Sequence, residues 1–267
     1  ARFKRLLMES ANLDVSDWHV PPGFLEELSL RKNLNLTSFE GGPPVDDETF
    51  PYLGRFPLTH LEIRDAHVSQ ECMKTVGRLK TLTYLVIVGV PIDTARLTVL
   101  QGLRKLTHLE LINCGLTDDS LRLLSHLPVN ELVLDRNKKI TDNGIAFLVQ
   151  NHTPLKVLSL GETGITDKAI EELYGLASIE ELWVRANAFT DRCIPYFNRL
   201  KNLRKLDLSS TGISDGAFGN LKSKTLKNFM VRQSRLTMDG YMRLKQSSPD
   251  LTIVTGGGAD ELIPKKY

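Results

Sequence analysis

The sequence is short of several things, and each shortage excludes something. Only three of the 267 residues are cysteine, an odd number and too few for a disulfide framework. Aromatic residues make up 7%, so a core has to be built from aliphatic side chains. No apolar run approaches the roughly 18 residues that a membrane helix needs. Neither charge sign dominates: 34 Lys and Arg face 32 Asp and Glu, a net +2 with no general signature of nucleic-acid or membrane binding. The stretch from Ala1 to Ser10 has no long apolar segment and no small-residue cleavage site, so no signal peptide is expected. Together with the free cysteines this favours a cytoplasmic location. Hydrophobic residues at 41% and charged residues at 25% are in the globular range, which argues against disorder over most of the chain.

Motifs that carry chemistry are missing too. No Ser/His/Asp or Cys/His set converges, and Thr255-Gly-Gly-Gly258 lacks the Gly-Lys-Ser/Thr of a phosphate loop. Cys72 and Cys193 occupy the same position five units apart, on the order of 25 Å, too far for a disulfide. His60 and His108 are two strands apart, about 10 Å, with no third ligand evident. The expectation is no catalytic residue, no metal site and no cofactor.

What is present is a repeat. Leu58-Thr-His-Leu-Glu-Ile63, Leu82-Thr-Tyr-Leu-Val-Ile87 and Leu106-Thr-His-Leu-Glu-Leu111 begin a series that continues from Val129, Leu155, Ile179, Leu203 and Leu226. Every member reads L-x-x-L-x-L, with spacings of 23 to 26 residues. A second motif follows five of them: Leu116-Thr-Asp-Asp-Ser-Leu121, Ile140-Thr-Asp-Asn-Gly-Ile145, Ile165-Thr-Asp-Lys-Ala-Ile170 and two more. In one unit Leu109 and Leu111 share a face of a short strand, while Glu110 points away. Thr117 or Asp118 stands where a helix begins and caps it. Leu121, Leu124 and Leu127 then form one helical face. Neither element is stable alone, so units must stack. Between strand and helix a ladder of Cys114, Asn137, Thr163, Asn187, Thr211 and Ser234 offers hydrogen bonds to the turn.

These motifs resemble the leucine-rich repeat family, in its roughly 24-residue I-T-D-x-x-L variety. That variety occurs in bacterial repeat arrays and in F-box ubiquitin-ligase subunits. The resemblance implies an α/β fold: a right-handed leucine-rich-repeat solenoid (a horseshoe), with a parallel sheet on the concave face and helices on the convex face. A single domain is expected, with residues 1–33 as a degenerate N-terminal cap, 34–250 as repeats, and 251–267 as a last strand and tail. Within the cap, Phe3 to Met8 looks like a strand, and Pro21-Pro22-Gly-Phe opens a helix.

Binding is expected on the outward strand positions of the sheet. One group is apolar on a face that should be wet: Tyr84, Val86, Val88 and Ile112. The other centres on Trp183 beside Arg185, with Asp207 and Arg136 near it; the residue types are those that anchor interfaces. Glu131, Asp135 and Arg232 complete the partner-binding set. An alternative for Trp183 is packing on Arg185 for local stability. Eight acids against five bases make this face mildly acidic, which argues against a phosphate backbone in the concavity. Basic pairs such as Arg78 and Lys80 fall at helix C-termini, where they complement the dipole. The expected function is a non-enzymatic scaffold that binds a protein or peptide. A substrate-recognition part of a ubiquitin-ligase-like adaptor is the alternative, and an enzyme ranks third.

Overall fold

Repetition every 23 to 26 residues produces one strand and one helical segment per unit, and the strands form a single parallel sheet. The computed structural model describes residues 12–14, 23–30, 38–41, 47, 50–151 and 154–255. The sheet has 11 strands in strict chain order, each pairing only with its sequence neighbours. They are β1 (Asn12–Asp14), β2 (Ser38–Gly41), β3 (His60–Arg64), β4 (Tyr84–Val88), β5 (His108–Ile112), β6 (Glu131–Val133), β7 (Val157–Ser159), β8 (Glu181–Trp183), β9 (Lys205–Asp207), β10 (Asn228–Met230) and β11 (Thr252–Val254). Among the described residues, ten short α-helices and two 3-10 turns lie between these strands, at least one in each interval, as the alternation of periods 2 and 3.6 requires. The strand expected at Phe3 to Met8 lies outside the described residues, and the first described strand is Asn12–Asp14. The helix expected after Pro21-Pro22 is present at Phe24–Ser29.

Register follows the leucines. Leu61, Leu85, Leu109, Leu132, Leu158, Leu182 and Leu206 pair in turn along the sheet, and all are fully buried. Phe39 and Phe229 hold the same position on β2 and β10 and are fully buried as well, so this otherwise aliphatic ladder has an aromatic ring toward each end. Each such side chain contributes about 2 kcal/mol by leaving water. The helices are four to ten residues long, too short to persist in isolation; their buried faces, such as Ile145 and Leu148 of helix Asp142–Gln150, hold them.

The Thr-Asp pair does two separate jobs. The Thr or Ser is the N-cap: the hydroxyls of Thr141, Thr166, Thr190 and Ser214 each accept a backbone N–H two residues on. The Asp reaches across to the next unit. Asp142 accepts the backbone N–H of Thr166 at 2.7 Å and its hydroxyl at 2.7 Å. Asp118 does the same for Thr141, Asp167 for Thr190, Asp191 for Ser214 and Asp215 for Thr237. One sequence motif therefore caps its own helix and ties it to the next.

The strand ends are governed by a second ladder. Asp65, Asn113, Arg136, Glu162, Ala186, Ser210 and Gln233 all have φ between 47° and 63°, and Gly89 holds the same place with φ 72°. A left-handed residue that is not glycine costs roughly 1–2 kcal/mol. The cost is offset because the turned N–H groups pair across the stack: Glu162 donates to the Arg185 carbonyl at 3.0 Å and Arg136 to that of Gly161 at 2.8 Å. Every unit turns alike at this point, which keeps the outward-facing columns in line.

Candidate functional site

The outward columns fall into two patches, about 19 Å apart across the four strand spacings from β4 to β8. In the first, Tyr84 is sandwiched between two histidines. Its ring lies 4.2 Å from that of His60 and 4.0 Å from that of His108, with interplanar angles of 9° and 7°. The Tyr84 hydroxyl donates to Glu110 Oε1 at 3.1 Å. His108 Nε2 also meets that oxygen, and its Nδ1 meets Glu131 Oε2 at 2.7 Å. A neutral imidazole has one N–H, so His108 serves both carboxylates as donor only when protonated. Glu110 is 1% exposed; burial and this carboxylate together raise the Tyr84 pKa well above the usual phenol range.

This arrangement corrects the picture of an apolar patch open to a partner. Val86 is buried, with 1% of its surface exposed. Val88 and Ile112 are half-buried, and the Tyr84 ring is spent on its two neighbours. The reason is lateral packing: aromatic rings on strands one sheet spacing apart close over the column beside them. Glu131, half-exposed, is committed to His108.

The second patch runs from β6 to β10. Trp183 is half-buried, and among the described residues its indole has no hydrogen bond, no ring neighbour and no guanidinium over it. Arg185 is turned instead toward Glu162, 3.9 Å away, and Arg136 reaches the same carboxylate oxygen at 3.3 Å. The two guanidiniums thus share one acid. Gly161 makes room for this: a Cβ there would stand 3.0 Å from Arg185 Cγ and 3.4 Å from the Asp135 carboxyl carbon. Asp135 is half-buried and accepts the Ser159 hydroxyl at 2.6 Å and the Gly161 N–H at 2.9 Å. Burial raises its pKa, opposed by those two donors and by Arg185. Asp207 is buried and accepts the Ser209 N–H at 2.8 Å. Glu181 is closed by Lys205 at 2.8 Å. Arg232 is half-buried on β10 with its backbone N–H on the Ser209 hydroxyl.

Comparison with known proteins bears on the fold. A family model described as Leucine Rich repeat matches residues 199–217. The solved structure of an internalin, inlF, of Listeria monocytogenes superimposes with a TM-score of 0.56 at 18% identity, over 94% of this chain and 82% of that one. The chain is a leucine-rich-repeat solenoid. Internalin C2 of the same organism matches at 26% identity over 77% of each chain, with a TM-score of 0.48.

Within the solenoid, one grouping escaped sequence reasoning. Donor atoms of Glu40, His60 and Glu62 lie within 4.8 Å of one another, a disposition suited to a cation. Glu62 is already paired with Arg64. The signal was in the register, because Glu40 is the residue directly opposite Glu62. His60 and His108 do not converge; Tyr84 stands between them. Among the described residues no helix is long and apolar enough to cross a membrane. The basic pair Arg78 and Lys80 stands where a helix ends, with Lys80 Nζ on the Gly77 carbonyl at 2.6 Å.

All three cysteines are free and buried. Burial pushes the Cys72 thiol up to about 11 and that of Cys114 up to about 12, and raises Cys193 too. The folded chain is therefore expected to resist iodoacetamide at about pH 8, with all three thiols reacting on denaturation. Unfolded thiols ionise near about 8.5 while these keep their protons, so their stabilising contribution is complete below that pH. It is lost as pH rises toward about 12, the value for Cys114. Rapid labelling of the native protein would contradict the buried placement.

Proposed function

We propose that the chain is a non-enzymatic protein-interaction scaffold whose partner docks on the concave face around Trp183. The repeat match and the solenoid fold support an interaction domain. The observation that carries the site is the indole of Trp183, half-exposed and unpartnered among the described residues, beside two arginines that share one carboxylate. Trp and Arg are the side chains whose truncation most often costs an interface 2 kcal/mol or more, about 30-fold in affinity.

The test is affinity purification with mass spectrometry, comparing wild type with a Trp183→Ala, Arg185→Glu double variant. The double variant is expected to lose capture of the wild-type partner while its circular dichroism and unfolding midpoint stay unchanged. Capture that survives in a folded double variant would remove Trp183 from the site.

A further inference from the structure

We infer that the partner segment is acidic: a peptide stretch that places a carboxylate on Arg136 and Arg185 and an apolar side chain on Trp183. This inference rests on the docking site proposed above and assigns the chemistry of its occupant.

Formal charge points the other way, because acids outnumber bases over the whole outward face. What differs around Trp183 is which of these charges a ligand can reach. On the loop side of β6 to β9, Asp135 is half-buried and engaged by the Ser159 hydroxyl and the Gly161 N–H, and its carboxyl pKa is raised by burial. Asp207, next to Trp183 in register, is buried and held by the Ser209 N–H. What remains accessible is Arg136 with 56% of its side chain exposed, Arg185 with 42%, and Glu162 between them with 37%. Two guanidiniums offer up to ten N–H donors, and a single carboxylate meets one from each within 4.0 Å. The residues that follow on this side, Ala186, Ser209 and Ser210, add no acid.

Orientation follows from the other side of the indole. There Glu181 and Lys205 close on each other at 2.8 Å, so that side is locally neutral. An extended acidic segment would therefore lay its carboxylates toward the loop edge, with the adjoining apolar residue over the indole. Arginine pairs with carboxylates through two parallel hydrogen bonds, which lysine cannot imitate. The positioning device is Gly161, whose missing side chain lets the Arg185 stem lie across the sheet beside Asp135.

The experiment selects a displayed library of random peptides, each about twelve residues long, on the intact chain. Peptides are kept if they bind wild type and not Trp183→Ala. Each is then synthesised in three forms: as selected, with Asp and Glu changed to Asn and Gln, and with them changed to Lys. Fluorescence polarisation measures binding. The expected result is enrichment of Asp and Glu beside Leu, Phe or Tyr, a loss of roughly tenfold or more in the amide form, and a further loss in the Lys form. Arg185→Glu should reverse the preference toward the Lys form, Arg185→Gln should abolish it, and raising salt from about 0.05 to 0.5 M should weaken binding of the selected form. Circular dichroism checks that each variant is folded. Trp183-dependent peptides that bind equally well as amides overturn the acidic assignment and leave the docking site standing. A library with no Trp183-dependent binder overturns both.

Discussion

Asn137→Ala is expected to lower the stability of the chain by about 4 kcal/mol, well beyond what truncating the smaller residues of the turn ladder costs. Asn137 is fully buried. Its Oδ1 accepts the backbone N–H groups of Cys114 at 2.9 Å and Leu116 at 3.0 Å. Its Nδ2 donates to the carbonyls of Leu111 at 2.7 Å and Leu134 at 2.8 Å. One amide thus satisfies four backbone groups from two successive units. Deleting it strands them away from water, and each stranded group costs about 1–3 kcal/mol, reduced where water enters the space. Thr163 is the comparison, since it holds the same ladder place with only its hydroxyl on the Leu160 carbonyl and on Asn187. Thr163→Ala should cost about 1 kcal/mol. Urea unfolding followed by circular dichroism measures both. An Asn137→Ala loss no larger than that of Thr163→Ala would show that the amide is not what joins these units.

The second large effect lies in the first patch. His108→Ala is expected to cost about 3 kcal/mol, because it takes a ring-nitrogen hydrogen-bond partner away from the buried Glu110 carboxylate. Glu110 would keep only the Tyr84 hydroxyl, and the Tyr84 ring would lose one of its two stacking partners. Glu110→Gln should make the histidine less necessary. In a His108→Ala, Glu110→Gln double-mutant cycle the two losses should therefore fall short of additivity by about 1–3 kcal/mol. Additive losses would mean that the histidine acts through packing alone. The same cycle bears on function, since a column closed by Tyr84 and two histidines is rigid. That rigidity is a reason to place docking at Trp183 rather than here.

Much of the fold was legible because a solenoid is written locally. The leucines of L-x-x-L-x-L alternate within six residues, and the same six residues recur, so strand, face and register follow without knowledge of distant contacts. The ladder from Cys114 to Ser234 was legible for the same reason, although only the coordinates separate Asn137, which bonds four backbone groups, from its smaller neighbours. The sequence left open whether Thr117 or Asp118 caps the helix. Thr117 is the cap, and Asp118 holds Thr141 of the next unit.

The candidate site was legible as a set of positions and not as a surface. Tyr84 and Trp183 were equivalent in the sequence, both being aromatics outside the leucine ladders. Their fates differ because Tyr84 has a ring on each neighbouring strand, whereas Trp183 is flanked in register by Ser159 and Asp207. Asp135 and Arg185 were both in the expected binding set, but Asp135 is held by Ser159 and the Gly161 N–H whereas the Arg185 side chain is 42% exposed, with Gly161 between them.

By itself the sequence determined the architecture: the period, the buried aliphatic columns, the capping motif and the order of strands. Those properties are fixed by residues a few places apart, where backbone geometry leaves little choice. Only the tertiary structure decided which outward side chains remain available. Many of their partners sit one unit away, 23 to 26 residues along the chain, so whether an acid is spent on an N–H or left to meet a ligand is set by how successive units stack. An outward face that is acidic by composition thereby offers arginine and an unpaired indole at the place proposed for docking.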